Sequence, residues 1–233
     1  MVFILTFLFL LNMLHQDPNI KEKKLKLTDG SRMRYSLSIP ARSSHAAHPL
    51  ILALHWGWEM DKPVPEYYGK TFLQEMILPA FNTINPIIIA PDCPSTTWYN
   101  QRSEQAILAL IQKIQTDHNI DSNMIIITGF SAGGMGTWYM ASRHPDMFTL
   151  AIPMASIPKK EWTEDWSDLP LYIINATNDE VFPFEYIEPV LETLKENKVT
   201  HKLMKVTGAS HYESRKFIAP LRYSVNWYSD LGN

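Results

Sequence analysis

Three side chains in this chain of 233 residues have the types and order needed to attack a carbonyl carbon: Ser131, Asp179 and His211. Ser131 lies in Gly129-Phe130-Ser131-Ala132-Gly133, after the β-branched run Ile125, Ile126, Ile127, Thr128 and before a segment able to form a helix. A sharp strand-to-helix turn of this kind, a nucleophile elbow, lifts the serine hydroxyl out of the sheet. Small residues at 129 and 133 let the strand and helix backbones almost touch. A free hydroxyl is a poor nucleophile, so a base must take its proton and return it to the leaving group; His211, in Gly208-Ala209-Ser210-His211, is the candidate. Asp179, in Asn178-Asp179-Glu180-Val181, is expected to hold the imidazole in the useful tautomer and to stabilise the imidazolium. Glu180 adjoins Asp179, but successive side chains diverge. His201 falls inside a strand, and Asp165 and Asp168 precede the strand that should present the acid.

The oxyanion formed on attack needs N–H donors. The turn at Ser131 aims the first N–H of the following helix, that of Ala132, at it, and the loop Leu54-His55-Trp56-Gly57-Trp58 is expected to add the N–H of Trp56 or Gly57. His55, directly after a strand, is expected to order that loop by hydrogen bonding and not to act as a base. Trp56, Trp58, Tyr67, Tyr68, Trp98, Tyr99, Trp162 and Trp166 are expected in loops around the site, with Trp58, Trp98 and Trp162 the candidate substrate contacts.

These residues need a scaffold in which strands end beside one another. Residues 22–27 and 33–39 alternate around Thr28-Asp29-Gly30-Ser31, as in an antiparallel hairpin, and residues 41–49 read as a loop. Leu50 to Leu54, Ile87 to Ala90, Ile125 to Thr128, Leu150 to Ile152, Leu171 to Ile174 and His201 to Val206 then read as strands, most of them too apolar to face water on either side. Helical spacing appears in residues 103–117 (Ala106, Ile107, Leu110, Ile111, Ile114) and 185–197 (Ile187, Val190, Leu191, Leu194), and again in 212–231, there interrupted at Pro220. The alternation predicts an α/β fold: a mostly parallel twisted sheet with helices on both faces and the antiparallel hairpin at one edge. In such a sheet ligands bind beyond the carboxyl ends of the strands, which is where Ser131, Asp179 and His211 fall. Only about eighteen residues separate the strands at 150–152 and 171–174, enough for a small flap and too few for a large lid domain.

The net charge of −3 and the lack of a long basic run exclude a nucleic-acid partner. One cysteine, Cys93, rules out a disulfide within the chain, and its place just past an apolar strand reads as a packed thiol. Residues 1–18 form a hydrophobic N-terminal segment expected outside a single domain spanning 19–233. Its apolar run suits a secretory signal and is short for a membrane span, yet no Lys or Arg precedes it. A signal peptide, an uncleaved anchor and initiation near Met13 remain open, with a secreted, periplasmic or surface-anchored location favoured. Membrane association is expected only through this segment.

Gly129-Phe130-Ser131-Ala132-Gly133-Gly134-Met135-Gly136-Thr137-Trp138, with Arg143-His144-Pro145 one helix later, resembles the compact carboxylesterase and peptidase-like branch of the α/β-hydrolase superfamily. Ala90-Pro91-Asp92, Asn178-Asp179-Glu180-Val181-Phe182-Pro183 and Gly208-Ala209-Ser210-His211-Tyr212-Glu213 extend the likeness over about residues 35 to 230. The chain order Ser, Asp, His is that of the superfamily. The resemblance implies a serine hydrolase with no cofactor and no metal; the loop aromatics and the lack of room for a large lid point to a small-molecule ester with a short or medium acyl group or an aryl group. That branch often has His-Gly after the oxyanion strand; here Trp56 separates His55 from Gly57. A peptidase or amidase of the same fold, and a silent hydrolase fold used for binding, are the competing expectations.

Overall fold

A computed structural model describes residues 19–40, 46–58, 62–166 and 168–232. The N-terminal segment 1–18 and part of the expected 41–49 loop lie outside the described residues. Eight strands form one sheet: β1 (Asn19–Lys26), β2 (Arg32–Ile39), β3 (His48–Leu54), β4 (Ile87–Pro91), β5 (Ile120–Phe130), β6 (Leu150–Met154), β7 (Leu171–Ala176) and β8 (His201–Val206), in the order β1-β2-β4-β3-β5-β6-β7-β8. β1 pairs antiparallel with β2, and β2 antiparallel with β4; every other pairing is parallel. The expected edge hairpin turns at Gly30, whose φ of +82° is open to glycine at little cost.

Two-residue periodicity in the central strands divides the interior into two cores. Leu50, Leu52 and Leu54 of β3 join Ile125 and Ile127 of β5 on one face, while Ile51 and Ala53 join Ile126 and Phe130 on the other. The first face is covered by α3 (Gln101–Asp117), α4 (Ala132–Arg143) and α5 (Glu188–Glu196). The second is covered by α1 (Tyr68–Phe72), α2 (Leu78–Phe81) and α6 (Ile218–Asp230). The fold is therefore the α/β type read from the alternation, with central strands buried on both sides as parallel strands require. Asn100 caps α3 by accepting the Ser103 N–H at 2.9 Å, and the five apolar residues expected on its buried face are all buried.

Several expectations change. His48 opens β3 and is not in a loop. Tyr68 lies in α1, not in a loop, and the sequence reading assigns no element to residues 68–81. There Phe72, Leu73, Met76, Ile77, Ala80 and Phe81 form a buried helical stripe obscured by Pro79. The chain accommodates that proline with a π-turn, Leu73–Ile77, placed just before it. Pro220 does not interrupt a helix either: it sits in the first turn of α6, where its missing N–H has no intrahelical partner to lose. The 155–170 connection is clamped to the side of α4 and does not form a free flap. Trp166 packs edge-on to Trp138 at 5.6 Å and Trp162 to Tyr139 at 5.5 Å.

Candidate active site

β5 enters the elbow fully buried from Ile125 onward and leaves it as α4. Ser131 takes φ 56° and ψ −117°, a backbone conformation that side-chain-bearing residues rarely adopt. Its N–H donates to the Met154 carbonyl at 3.0 Å and its carbonyl accepts the Met135 N–H at 3.0 Å, so β6 and the first turn of α4 grip the turn from both sides. A Cβ on Gly129 would overlap the Gly133 carbonyl, and one on Gly133 the Leu54 carbonyl. Small residues at 129 and 133 are thus required by backbone contact, as the pattern predicts.

The structure brings Ser131, Asp179 and His211 together. His211 Nε2 stands 2.9 Å from Ser131 Oγ, and Nδ1 stands 2.8 Å and 3.0 Å from Asp179 Oδ2 and Oδ1. Asp179 Oδ1 also accepts the N–H groups of Val181 and Phe182, at 2.9 Å and 2.7 Å. Burial alone would raise the Asp179 pKa; the His211 hydrogen bond and the two backbone donors outweigh it and hold the carboxyl below its usual range. An ionised Asp179 accepts from Nδ1–H, which leaves Nε2 free to accept the Ser131 hydroxyl proton. Asp179 and His211 are each 5% exposed, which shields the pair from competing water.

Glu180, the sequence rival of Asp179, has a different place: its Oε2 accepts the His211 backbone N–H at 3.0 Å and fixes the loop that carries the imidazole. Nothing in the sequence pattern signals that clamp. His201 takes no such position: it opens edge strand β8, and its Nδ1 lies 2.8 Å from the carbonyl of Val199, just before the strand. Asp165 and Asp168 stay in the 155–170 connection.

The loop after β3 is held by two groups. Cys93 N–H donates to His55 Nε2 at 3.1 Å, so the ring proton must sit on Nδ1, which donates to the Trp56 carbonyl at 2.6 Å. From the other side, Tyr68 Oη accepts the Trp56 indole N–H at 2.7 Å and reaches the Gly57 carbonyl at 3.4 Å. Tyr68 was legible only as a loop aromatic. With the Trp56 carbonyl turned onto His55, the Gly57 N–H of the same trans peptide points the opposite way. Gly57 also borders the helix start, where a Cβ on it would stand 3.7 Å from Ala132 Cβ.

His55 is fully buried, and desolvation pushes its pKa down to about 4 from 6.5 despite the Trp56 carbonyl. The native pKa lies below the unfolded one. As pH falls from about 6.5 to about 4 the unfolded chain binds a proton that the folded chain refuses, and about 3 kcal/mol of stability is lost across that window. Thermal melts between pH 7 and pH 4.5 should fall more steeply for the wild type than for His55→Gln; parallel slopes would contradict the buried neutral imidazole.

The three candidate substrate contacts separate. Trp98 is fully buried and donates its indole N–H to the His55 carbonyl at 3.0 Å, so it supports the loop and offers a substrate no surface. Trp162 is buried against Tyr99 and Tyr139 on the flank of α4. Trp58 remains half-buried beside His55, its indole N–H on the Lys62 carbonyl at 3.1 Å. Cys93 is buried, and burial raises its thiol to about 11, which makes it the packed and unreactive thiol expected. Among the described residues, no three His, Cys, Asp or Glu side chains converge as a metal cluster.

The profile of the dienelactone hydrolase family matches residues 93–220, more than half of the chain, from the end of β4 into α6. The chain belongs to the dienelactone hydrolase family. The family match spans the elbow and both later loops. Among curated relatives, the bifunctional acetylxylan esterase/xylanase XynS20E of Neocallimastix patriciarum is 23% identical over 152 residues, 64% of this chain and 22% of that protein. Cutinase 1 of Thermobifida cellulosilytica is 30% identical over 141 residues, 55% of this chain and 50% of that protein. The chain therefore spans half or less of the length of these two relatives. Among solved structures, a thermostable esterase superposes with a TM-score of 0.72 at 22% identity, covering 91% of this chain and 60% of the other, a likeness of fold.

Proposed function

We propose that this family member is a carboxylic ester hydrolase working through an acyl-Ser131 intermediate. The observation that carries the reading is the unbroken chain Asp179, His211 Nδ1, His211 Nε2, Ser131 Oγ, with every step between 2.8 Å and 3.0 Å, ending on a serine at φ 56°. His211 accepts the hydroxyl proton as Ser131 Oγ bonds to the ester carbon, while Asp179 stabilises the imidazolium. The oxyanion is received by the N–H groups of Ala132 and Gly57; the turned peptide favours Gly57 over Trp56. His211 then protonates the departing alcohol, water attacks the acyl carbon with His211 again as base, and the acid leaves. The names of the two curated relatives, an acetylxylan esterase and a cutinase, support ester chemistry. Short or medium acyl esters and aryl esters are the proposed substrates, in keeping with the small connection at 155–170.

The test is covalent labelling with a fluorophosphonate followed by peptide mass analysis, alongside turnover of p-nitrophenyl butyrate. The expected result is one label on Ser131 and loss of turnover in proportion. A folded protein that stays unlabelled, or one labelled elsewhere with Ser131 free, would overturn the assignment. Faster turnover of aminoacyl anilides than of esters would move the reading to the peptidase.

A further inference from the structure

Tyr212 has no part in the chemistry above, yet among the described residues it is the most exposed large apolar side chain, at 77%. Lone exposed apolar residues are ordinary. Tyr212 differs in what adjoins it. Its ring stands edge-on to His211, 5.5 Å between centroids, and Phe182 approaches the same imidazole at 5.7 Å from the Asp179 turn. Val181, next to Phe182, is 45% exposed. The hydrogen bonds that hold Asp179 come from the N–H groups of Val181 and Phe182, so the turn that fixes the acid also fixes where those two side chains lie. A third aromatic ring beside the imidazole, Phe130 at 5.4 Å, is buried.

The direction of acyl transfer gives this rim a role. His211 Nε2 must hand its proton to the leaving oxygen, which requires that oxygen within about 2.6–3.2 Å of Nε2. The carbon group on that oxygen therefore departs along the His211 side of the site, where Phe130 presents no surface and Tyr212, Phe182 and Val181 do. We infer that these three side chains receive the alcohol portion of the substrate, and that the Tyr212 ring favours esters of aryl alcohols over those of small alkyl alcohols. An aromatic ring gains from offset or edge-to-face contact with another ring as well as from covered area, and an ethyl group gains only a little of the latter. This rests on the ester-hydrolase reading and names its alcohol specificity.

Phenyl butyrate and ethyl butyrate share an acyl group, so their common deacylation and acyl contacts are matched, and intrinsic leaving-group differences cancel between wild type and variant. Tyr212→Ala should lower the phenyl-to-ethyl ratio of kcat/KM by about 3- to 10-fold, chiefly through KM for the phenyl ester. Tyr212→Phe should keep the ratio within about 2-fold of wild type, because the ring and not the hydroxyl makes the contact. The side chain is exposed, so truncation leaves the core intact. An unchanged ratio in an active Tyr212→Ala enzyme, or equal losses on both esters, would overturn the inference while leaving the hydrolase reading standing. A wild-type protein that turns over neither ester and does not label at Ser131 would overturn both.

Discussion

Replacing Ser131 by alanine should lower kcat for p-nitrophenyl butyrate by about 10^4- to 10^6-fold, and adding His211→Ala should cost almost nothing more. The two side chains work as a unit because His211 Nε2 has one proton to move, that of the Ser131 hydroxyl 2.9 Å away. Once the nucleophile is gone the base has nothing to activate. What survives is the oxyanion loop and the bound substrate, enough for a small residual rate over water. The measurement is a set of kcat values for Ser131→Ala, His211→Ala and the double variant, with each protein shown to be folded. Losses that multiply in the double variant would mean that the two act independently, and retained activity in Ser131→Ala would remove the serine from the reaction. Ser131→Ala should leave stability little changed, since among the described residues its Oγ hydrogen-bonds to His211 alone, whereas His211→Ala should also destabilise, because it strips the buried Asp179 carboxylate of its imidazole partner.

Gly133→Ala should have its largest effect on the fold itself. The added Cβ would stand 2.5 Å from the Leu54 carbonyl carbon and 2.7 Å from the His55 carbonyl oxygen, and would overlap the Leu54 carbonyl oxygen. These are backbone atoms at the end of β3, the strand held between β4 and β5 in the middle of the sheet, so no side chain can swing aside. Ordinary overpacking costs about 1–3 kcal/mol; with rigid backbone on both sides we expect at least about 3 kcal/mol, a fall in Tm of roughly 6–12 °C. Separation of α4 from β3 would also spoil the elbow, so activity should fall with stability. Gly57→Ala is the contrast: its Cβ would meet only Ala132 Cβ at 3.7 Å, an ordinary contact, and Tm should stay within about 2 °C. Differential scanning calorimetry on the two variants decides the matter, and a Gly133→Ala protein that melts with the wild type would contradict the close approach.

The elbow carries its own constraints in local sequence, which is why it could be read so far ahead of the rest. Gly129, Ser131 and Gly133 are required by contacts made within a strand, a turn and the first helical turn, over five residues. Asp179 and His211 were legible for a related reason: Asp179 follows β7, an apolar run buried on both faces, and His211 follows β8, the half-exposed strand that ends the same parallel sheet, and residues just past parallel strands share one end of the sheet. Charge and period alone also separated the edge hairpin from the parallel core. The α1–α2 segment escaped because Pro79 conceals a stripe that a π-turn restores, and Pro220 misled because a proline in a first helical turn reads like a break.

What the tertiary structure decided lies in contacts between residues far apart in the chain, for which no local pattern exists. Trp98 and Trp162 turned from substrate candidates into packing residues once their neighbours on α4 and the β3 loop were in place. His55 acquired a tautomer only through Cys93, 38 residues away, and with it the orientation of the Trp56–Gly57 peptide. Glu180 became the clamp on the His211 backbone, and Tyr212 an exposed surface beside the imidazole. The sequence by itself determined the scaffold and the order in which the candidate residues Ser131, Asp179 and His211 follow their strands, because both follow from hydrophobic period and backbone geometry. Which N–H groups face the oxyanion, and which aromatic rings remain free to meet a substrate, depend on side chains packed across the sheet, and only the assembled fold brings those together.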